Sequence, residues 1–212
     1  MGKIKKGILG GFNGRVGNVI GGSWKGVAYM RSEAQSIKNP RTDLQQDNRT
    51  LFGQVSDMMS RAKSAVDLGF AGDTSKKSAF NSAVQTNMKY FVDSEQDFEI
   101  HLLQFSKGNM MPLAGGSAAK ANSTITATFN VFEAPTEDLP VCVVFVAEGS
   151  FTASPFVSVA KSRVTSGSSS GTATFTVPAG MTYDTIDVFA FSYDETNRNA
   201  STTLYVGNVS GS

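Results

Sequence analysis

Apolar positions along the chain follow three rhythms, and each predicts a different structure. Leu51, Val55, Met58, Met59, Ala62, Ala65 and Val66 return at intervals of three and four, a single helical stripe that Gly69 ends. Upstream, Asn39 and Pro40 offer a cap and a first-turn proline. A second stripe, Phe80, Val84, Met88 and Phe91, predicts another helix, with Thr74 or Ser75 as its cap. Its Met and Phe residues would also suit a ligand groove, but at helical spacing ordinary packing is the plainer reading.

Beyond residue 98 the period falls to two. Phe98, Ile100 and Leu102 alternate with Glu99 and His101, and Ile125, Ala127, Phe129 and Val131 alternate with Thr124, Thr126, Thr128 and Asn130. These read as half-buried strands, and the unbroken apolar run Val141 to Val146 reads as a central one. Phe156 to Val164 and Thr172 to Val177 flank a Ser/Gly turn, and Thr185 to Tyr193 and Thr202 to Val206 complete about seven strands. With no helix between them they predict an antiparallel sandwich of the immunoglobulin or fibronectin III type.

Before residue 39 neither period holds. Val16 to Ile20, then Gly21-Gly22-Ser23, then Trp24 to Met30 predicts a β-hairpin turning on the glycine pair. Neither face carries a strong apolar stripe, so this ribbon must lie on the rest of the molecule or on a neighbouring subunit. The whole reads as an α+β chain: a basic Gly-rich arm over 1–38, a helical hairpin over 39–97 and a β-sandwich over 98–212.

Composition narrows the function classes. At 40% hydrophobic and 17% charged, 212 residues suit a globular chain, and without an 18-residue apolar run no membrane partner is expected. Lys3, Lys5 and Lys6 precede a stretch too short and Gly-rich for a secretory signal, and Lys6 stands where myristoylation needs Ser or Thr. Four Asn-x-Ser/Thr matches are therefore disregarded. The net charge of +1 hides a gradient: residues 1–41 carry +7, residues 42–120 carry −1 and residues 121–212 carry −5. Such asymmetry suits either a polyanion or a head-to-tail contact between copies.

Candidate chemistry is sparse. Gly10-Gly11-Phe12-Asn13-Gly14-Arg15 invites a phosphate loop, but no strand precedes it and no helix follows, so no cofactor is expected. The lone Cys142 sits in the most apolar strand and reads as a buried hydrophobe, and the lone His101 reads as a solvent- or partner-facing strand residue. Glu133, Glu137, Asp138, Asp184 and Asp187 lack the spacing of a calcium loop and read as solvated loop acids. No catalytic or metal-binding residue is assigned. The arm offers two sets instead: Gly14, Gly17, Gly21, Gly22, Trp24, Gly26 and Tyr29 as an assembly surface, and Lys3, Lys5, Lys6, Arg15, Lys25, Arg31, Arg41 and Arg49 as candidate polyanion contacts.

The run Gly10-Gly-Phe-Asn-Gly-Arg-Val-Gly-Asn-Val-Ile-Gly-Gly-Ser-Trp-Lys-Gly26, followed by Arg31-Ser32, Asn39-Pro-Arg-Thr-Asp-Leu-Gln45, Arg49, Phe52, Ser106-Lys-Gly108 and a terminal sandwich, resembles an uncharacterised bacterial and prophage-associated domain family. The resemblance covers essentially the whole chain. It implies a two-part protein without an assigned enzyme activity, linked to phage-like or self-assembling structures. The expectation is a non-enzymatic structural protein, a virion component, whose arm docks on copies of itself or on other structural proteins while the sandwich is displayed. It would be cytoplasmic before assembly and in the virion if phage-encoded. Two alternatives remain: a nucleic-acid-associated protein acting through the basic arm, and a carbohydrate-binding or adhesive module, which a fold alone does not specify.

Overall fold

The computed structural model describes residues 2–3, 12–36, 41–73, 77–91, 100–148, 156–181 and 183–211. The chain divides into two compact units, Met1–Gln46 and Asp47–Ser212. These do not coincide with the three segments read from the sequence, because the helices and the sandwich share a core.

The first unit is an antiparallel sheet of β1 (Gly2–Lys3), β2 (Gly14–Val16), β3 (Val19–Trp24) and β4 (Val27–Ser32), in the order β1-β4-β3-β2. The hairpin is present, but its turn is not at Gly21-Gly22. Those glycines lie inside β3, paired with Met30 and Tyr29. The reversals fall at Gly17-Asn18, between the paired Val16 and Val19, and at Lys25-Gly26, between the paired Trp24 and Val27. Lys25 and Gly26 have φ of 46° and 77°, the two positive values that a type I′ hairpin turn requires, and its twist matches that of the strands it joins.

In the second unit α1 (Asp43–Arg61), whose first turn belongs to the first unit, runs almost unbroken into α2 (Lys63–Gly69). At Ala62, the turn between them, the hydrogen bonds continue from Ala62 N–H to the Met58 carbonyl and from Val66 N–H to the Ala62 carbonyl. The predicted stripe is the buried face: Val55, Met58, Met59, Ala62, Ala65 and Val66 are all buried, and Leu51 packs at their edge. Asn39 and Pro40 lie outside the described residues. The second helix, α3 (Ala79–Met88), is capped by Ser78, whose hydroxyl accepts from Asn81 N–H at 3.2 Å; Thr74 and Ser75 lie outside the described residues.

The expected strand over Phe98 to Leu102 is instead a 3₁₀ turn at Ile100–Leu102, with 98 and 99 outside the described residues. Five residues of alternation fit either form, and burial decides: Ile100 is driven into the helical core while Leu102 stays exposed. The strand that replaces it, β5 (Gly115–Ala121), is glycine- and alanine-rich and carries no apolar alternation.

β5, β6 (Thr124–Asn130) and β9 (Ser170–Thr176) form one sheet in the order β5-β6-β9. In the other, β10 (Thr185–Asp194) and β7 (Leu139–Glu148) are central and β8 (Phe156–Val164) is one edge. Its opposite edge is made in succession by β11 (Asn199–Ala200) and β12 (Leu204–Ser210), both antiparallel to β10. Of the seven long strands, the first, second and fifth thus face the third, fourth, sixth and seventh, the arrangement of a fibronectin III-like sandwich.

Both central strands are buried on both faces. Val141, Val143, Phe145 and Ala147 point between the sheets with Ile186, Val188 and Ala190, against Ile125, Ala127 and Phe129. The alternate positions Cys142, Val144, Val146, Phe189 and Phe191 point the other way, into the core formed by α1, α2, α3 and Phe105. This two-sided burial explains the unbroken apolar run of β7: period-two alternation disappears when neither face meets water. The result is three layers, helices on a five-stranded sheet on a three-stranded sheet. The linker that carries Phe105 is pinned by Thr203, whose Oγ1 accepts from the N–H groups of Phe105 and Ser106, each at 2.9 Å.

Candidate functional site

The antiparallel register sorts the ribbon's side chains, since paired residues share a face and successive residues alternate. One face carries Arg15, Ile20, Trp24, Val27, Tyr29 and Arg31; the other carries Val16, Val19, Ala28 and Met30. Large apolar side chains are left open on both. Val16 is 66% exposed, Trp24 57% and Val27 49%. Trp24 and Val27 are directly paired beside the Lys25-Gly26 turn, so their side chains make one apolar patch at the ribbon's tip.

The two strand glycines make room for aromatic rings on opposite faces. A Cβ on Gly22 would stand 2.8 Å from Tyr29 Oη, and a Cβ on Gly21 would collide with the Phe12 carbonyl and ring. Tyr29 therefore lies across β3 on one side and Phe12 on the other, which stiffens a strand that lacks side chains of its own there. The glycines expected to serve assembly are thus divided in role: Gly21 and Gly22 admit the rings, while Gly14, Gly17 and Gly26 supply positive φ at the strand ends.

The basic set is only partly brought together. Arg15 and Arg31 share the face of Trp24 and Tyr29, but Arg15 is paired with Glu33 at 2.6 Å and also donates to the Gly17 carbonyl at 3.2 Å. Lys25 occupies the turn, and the Lys3 backbone pairs with Tyr29. Arg41 and Arg49 are exposed and belong to the approach to α1 and to α1 itself, not to the sheet; Lys5 and Lys6 lie outside the described residues.

The second unit holds one cluster that the sequence did not reveal. Asp187, expected among the loop acids, lies within β10 and is only 5% exposed. It accepts a hydrogen bond from Tyr205 Oη at 2.6 Å, and the exposed His101 ring stands edge-on to Tyr205 at 6.2 Å. Burial pushes the Asp187 carboxyl above the usual carboxylate range, against the opposing pull of the Tyr205 hydrogen bond and of His101. Glu133, Glu137, Asp138 and Asp184 are exposed, as expected. Cys142 is wholly buried, and desolvation pushes its thiol up to about 12, which leaves no thiolate for chemistry at neutral pH.

Among the described residues no group of three His, Cys, Asp or Glu side chains could hold a metal ion, and no helix is long and apolar enough to cross a membrane. One family model, for a family to which no function is assigned, matches residues 11–207. No curated protein matches the chain.

Proposed function

We propose for this chain, which belongs to the family of unknown function DUF6266, a non-enzymatic structural role in which the N-terminal ribbon docks on neighbouring copies and the sandwich is displayed. The observation that carries this reading is the exposure of Trp24 and Val27 side by side at the tip of a stiffened ribbon. Full burial of an exposed apolar side chain is worth ~1.5–3 kcal/mol, and about half of that is still to be gained at Trp24 and Val27, which are 57% and 49% exposed. A tip that displays two such side chains has a strong incentive to find a partner surface, and tryptophan is the residue type that most often anchors one. The resemblance of the N-terminal motif extends this to a component of a phage-like assembly.

The test is electron microscopy and sedimentation velocity on the purified full-length chain. Rings, filaments or discrete oligomers are expected, and Trp24→Ala with Val27→Ser should dissolve them with only a small fall in melting temperature, the loss of one cross-strand pair worth about 0.2–1 kcal/mol. Monomers at every concentration, or assemblies indifferent to the two substitutions, overturn the reading.

A second reading has one observation in its favour: Arg15 and Arg31 flank Trp24 and Tyr29 on one face, a pattern that suits phosphate neutralisation combined with base stacking. Fluorescence polarisation with single- and double-stranded oligonucleotides tests it. Nucleic-acid binding predicts affinity that falls steeply with salt and is lost on deletion of residues 1–38. An absence of binding at low salt removes it.

A further inference from the structure

At one end of the sandwich the loop between β6 and β7 and the loop after β10 enclose an open cleft of about 820 Å³. Four carboxylates line it, Glu137, Asp138, Asp194 and Glu195, and two basic side chains outside the lining, Arg163 and Lys161, pair with Asp138 and Glu195, so the acids exceed the bases by two. Its apolar surface comes from Met110, Leu139, Pro140 and Tyr193. The surrounding chain fixes two of these acids by hydrogen bonds that favour their charged form. The Ser166 backbone N–H, at 3.1 Å, and the Arg163 guanidinium, at 3.0 Å, hold the Asp138 carboxyl below the usual range. Asp194 is held low in the same way by the backbone N–H and side-chain amide of Asn197 and by Thr196 N–H. Glu195 pairs with Lys161 at 3.1 Å, while Glu137 is exposed in the loop.

The same chain carries the complement of this cleft. The tip of the β3–β4 hairpin presents Trp24 and Val27 with Lys25 between them in the turn, within a segment of charge +7 over residues 1–41. Opposite charge on the two surfaces steers encounter and fixes orientation, and apolar contact supplies affinity. With Asp138 paired to Arg163 and Glu195 to Lys161, Glu137 and Asp194 remain to favour a cation over a nucleic acid.

We propose that the cleft receives the β3–β4 tip of a second copy of the chain, with Trp24 and Val27 against the apolar surface and Lys25 among the carboxylates. This rests on the docking role of the ribbon and names the surface on which it docks. Because the two surfaces differ, the contact is heterologous: repetition closes into a ring or continues as a filament.

Charge reversal in the full-length chain tests the pairing. Lys25→Asp keeps the turn, since aspartate is well suited to the first position of a type I′ turn, and Glu137→Lys alters an exposed loop side chain. Each alone should raise the concentration at half-association by roughly tenfold or more in sedimentation velocity, and the two combined in one chain should restore it. Association should also weaken from low to high salt, as exposed charges are screened beyond about 10 Å at 0.1 M. If Trp24→Ala abolishes association while Glu137→Lys leaves it unchanged and the double reversal rescues nothing, the arm docks elsewhere and the cleft is not its receptor. If Trp24→Ala itself has no effect, the docking role of the ribbon fails as well.

Discussion

Asn87 holds the backbone of Gln104 by both ends of its amide: Nδ2 donates to the Gln104 carbonyl and Oδ1 accepts from the Gln104 N–H, each at 2.8 Å. The side chain is wholly buried, and it also donates to the Ala83 carbonyl at 2.9 Å. An amide used this way acts as one rung of a strand pairing, and it fastens α3 to the linker that carries Phe105 into the helix–sheet core. Asn87→Ala leaves a donor and an acceptor of Gln104 unpaired. At about 1–3 kcal/mol for each buried group left without a partner, a loss of ~2–4 kcal/mol is expected in urea denaturation. Asn87→Asp keeps the acceptor but loses the donor and introduces a buried charge, so it should not rescue.

Removing the helices should expose the outer face of the five-stranded sheet. Cys142, Val144, Val146, Phe189 and Phe191 are buried there against α1, α2 and α3. A fragment of residues 98–212 is therefore expected to aggregate or to bind a hydrophobic dye without a cooperative melt. A fragment of residues 41–212 should melt in one transition. Cooperative unfolding of the shorter fragment would mean that the sheet is stable without its helical layer.

Gly69 closes α2 against the backbone of Phe105 and Ser106, where an added Cβ would meet the Phe105 carbonyl and stand 2.7 Å from Ser106 Cα. Neither obstacle is a flexible side chain, so Gly69→Ala must push the helix and the linker apart. Overpacking of this kind costs ~1–3 kcal/mol. The midpoint of chemical unfolding should fall accordingly, while Gly53→Ala on the exposed side of α1, where a Cβ meets nothing within 4 Å, should be neutral or stabilising.

Two aspartates give opposite pH dependences. The Ser82 hydroxyl above all, and then Lys107 and Lys77, hold the Asp73 carboxyl below the usual range, so its contribution is present above the unfolded value of 3.8 and is lost as pH falls through the folded value. Asp187 is shifted upward, so its ionisation costs stability, and that cost appears as pH rises from 3.8 to its folded value. Asp187→Asn keeps an acceptor for Tyr205 and removes the buried charge. It is expected to raise the melting temperature at pH 7 relative to wild type and to lose that advantage near pH 3, whereas Asp73→Asn should lower stability at pH 7 and converge with wild type in acid.

Cys142 should be inert in the folded protein. With the thiol wholly buried and pushed up to about 12, labelling by an aromatic disulfide at pH 8 is expected only as fast as the protein unfolds. Immediate stoichiometric labelling of native protein would show that the helical layer opens readily over β7.

The helical stripe from Leu51 to Val66 was legible in the sequence because a helix repeats within four residues, and its buried set follows from local spacing alone. The alternation of β6 and the long apolar runs of β7 and β10 were legible for the same reason, and they suffice for the sandwich class. The ribbon's lack of a strong apolar face was legible too, whereas the exposure of Val16, Trp24 and Val27 was seen only in the folded structure. What remained depends on partners distant in the chain. Gly21-Gly22 looks like a turn until Phe12 and Tyr29 are seen to cover it, and the true turn at Lys25-Gly26 contains a lysine at positive φ that no glycine count suggests. Ile100 to Leu102 alternates like a strand but forms a 3₁₀ turn that buries Ile100 in the helical core, and β5 has almost no apolar signal yet pairs with β6. Asp187 is a buried acid because β10 lies between β7 and β12, where Tyr205 of β12 donates to it, and the carboxylate cleft exists only because two loops nearly sixty residues apart meet at one end of the sandwich. Periodicity reports which way a side chain faces; what stands opposite it is decided by long-range pairing, which leaves no local trace.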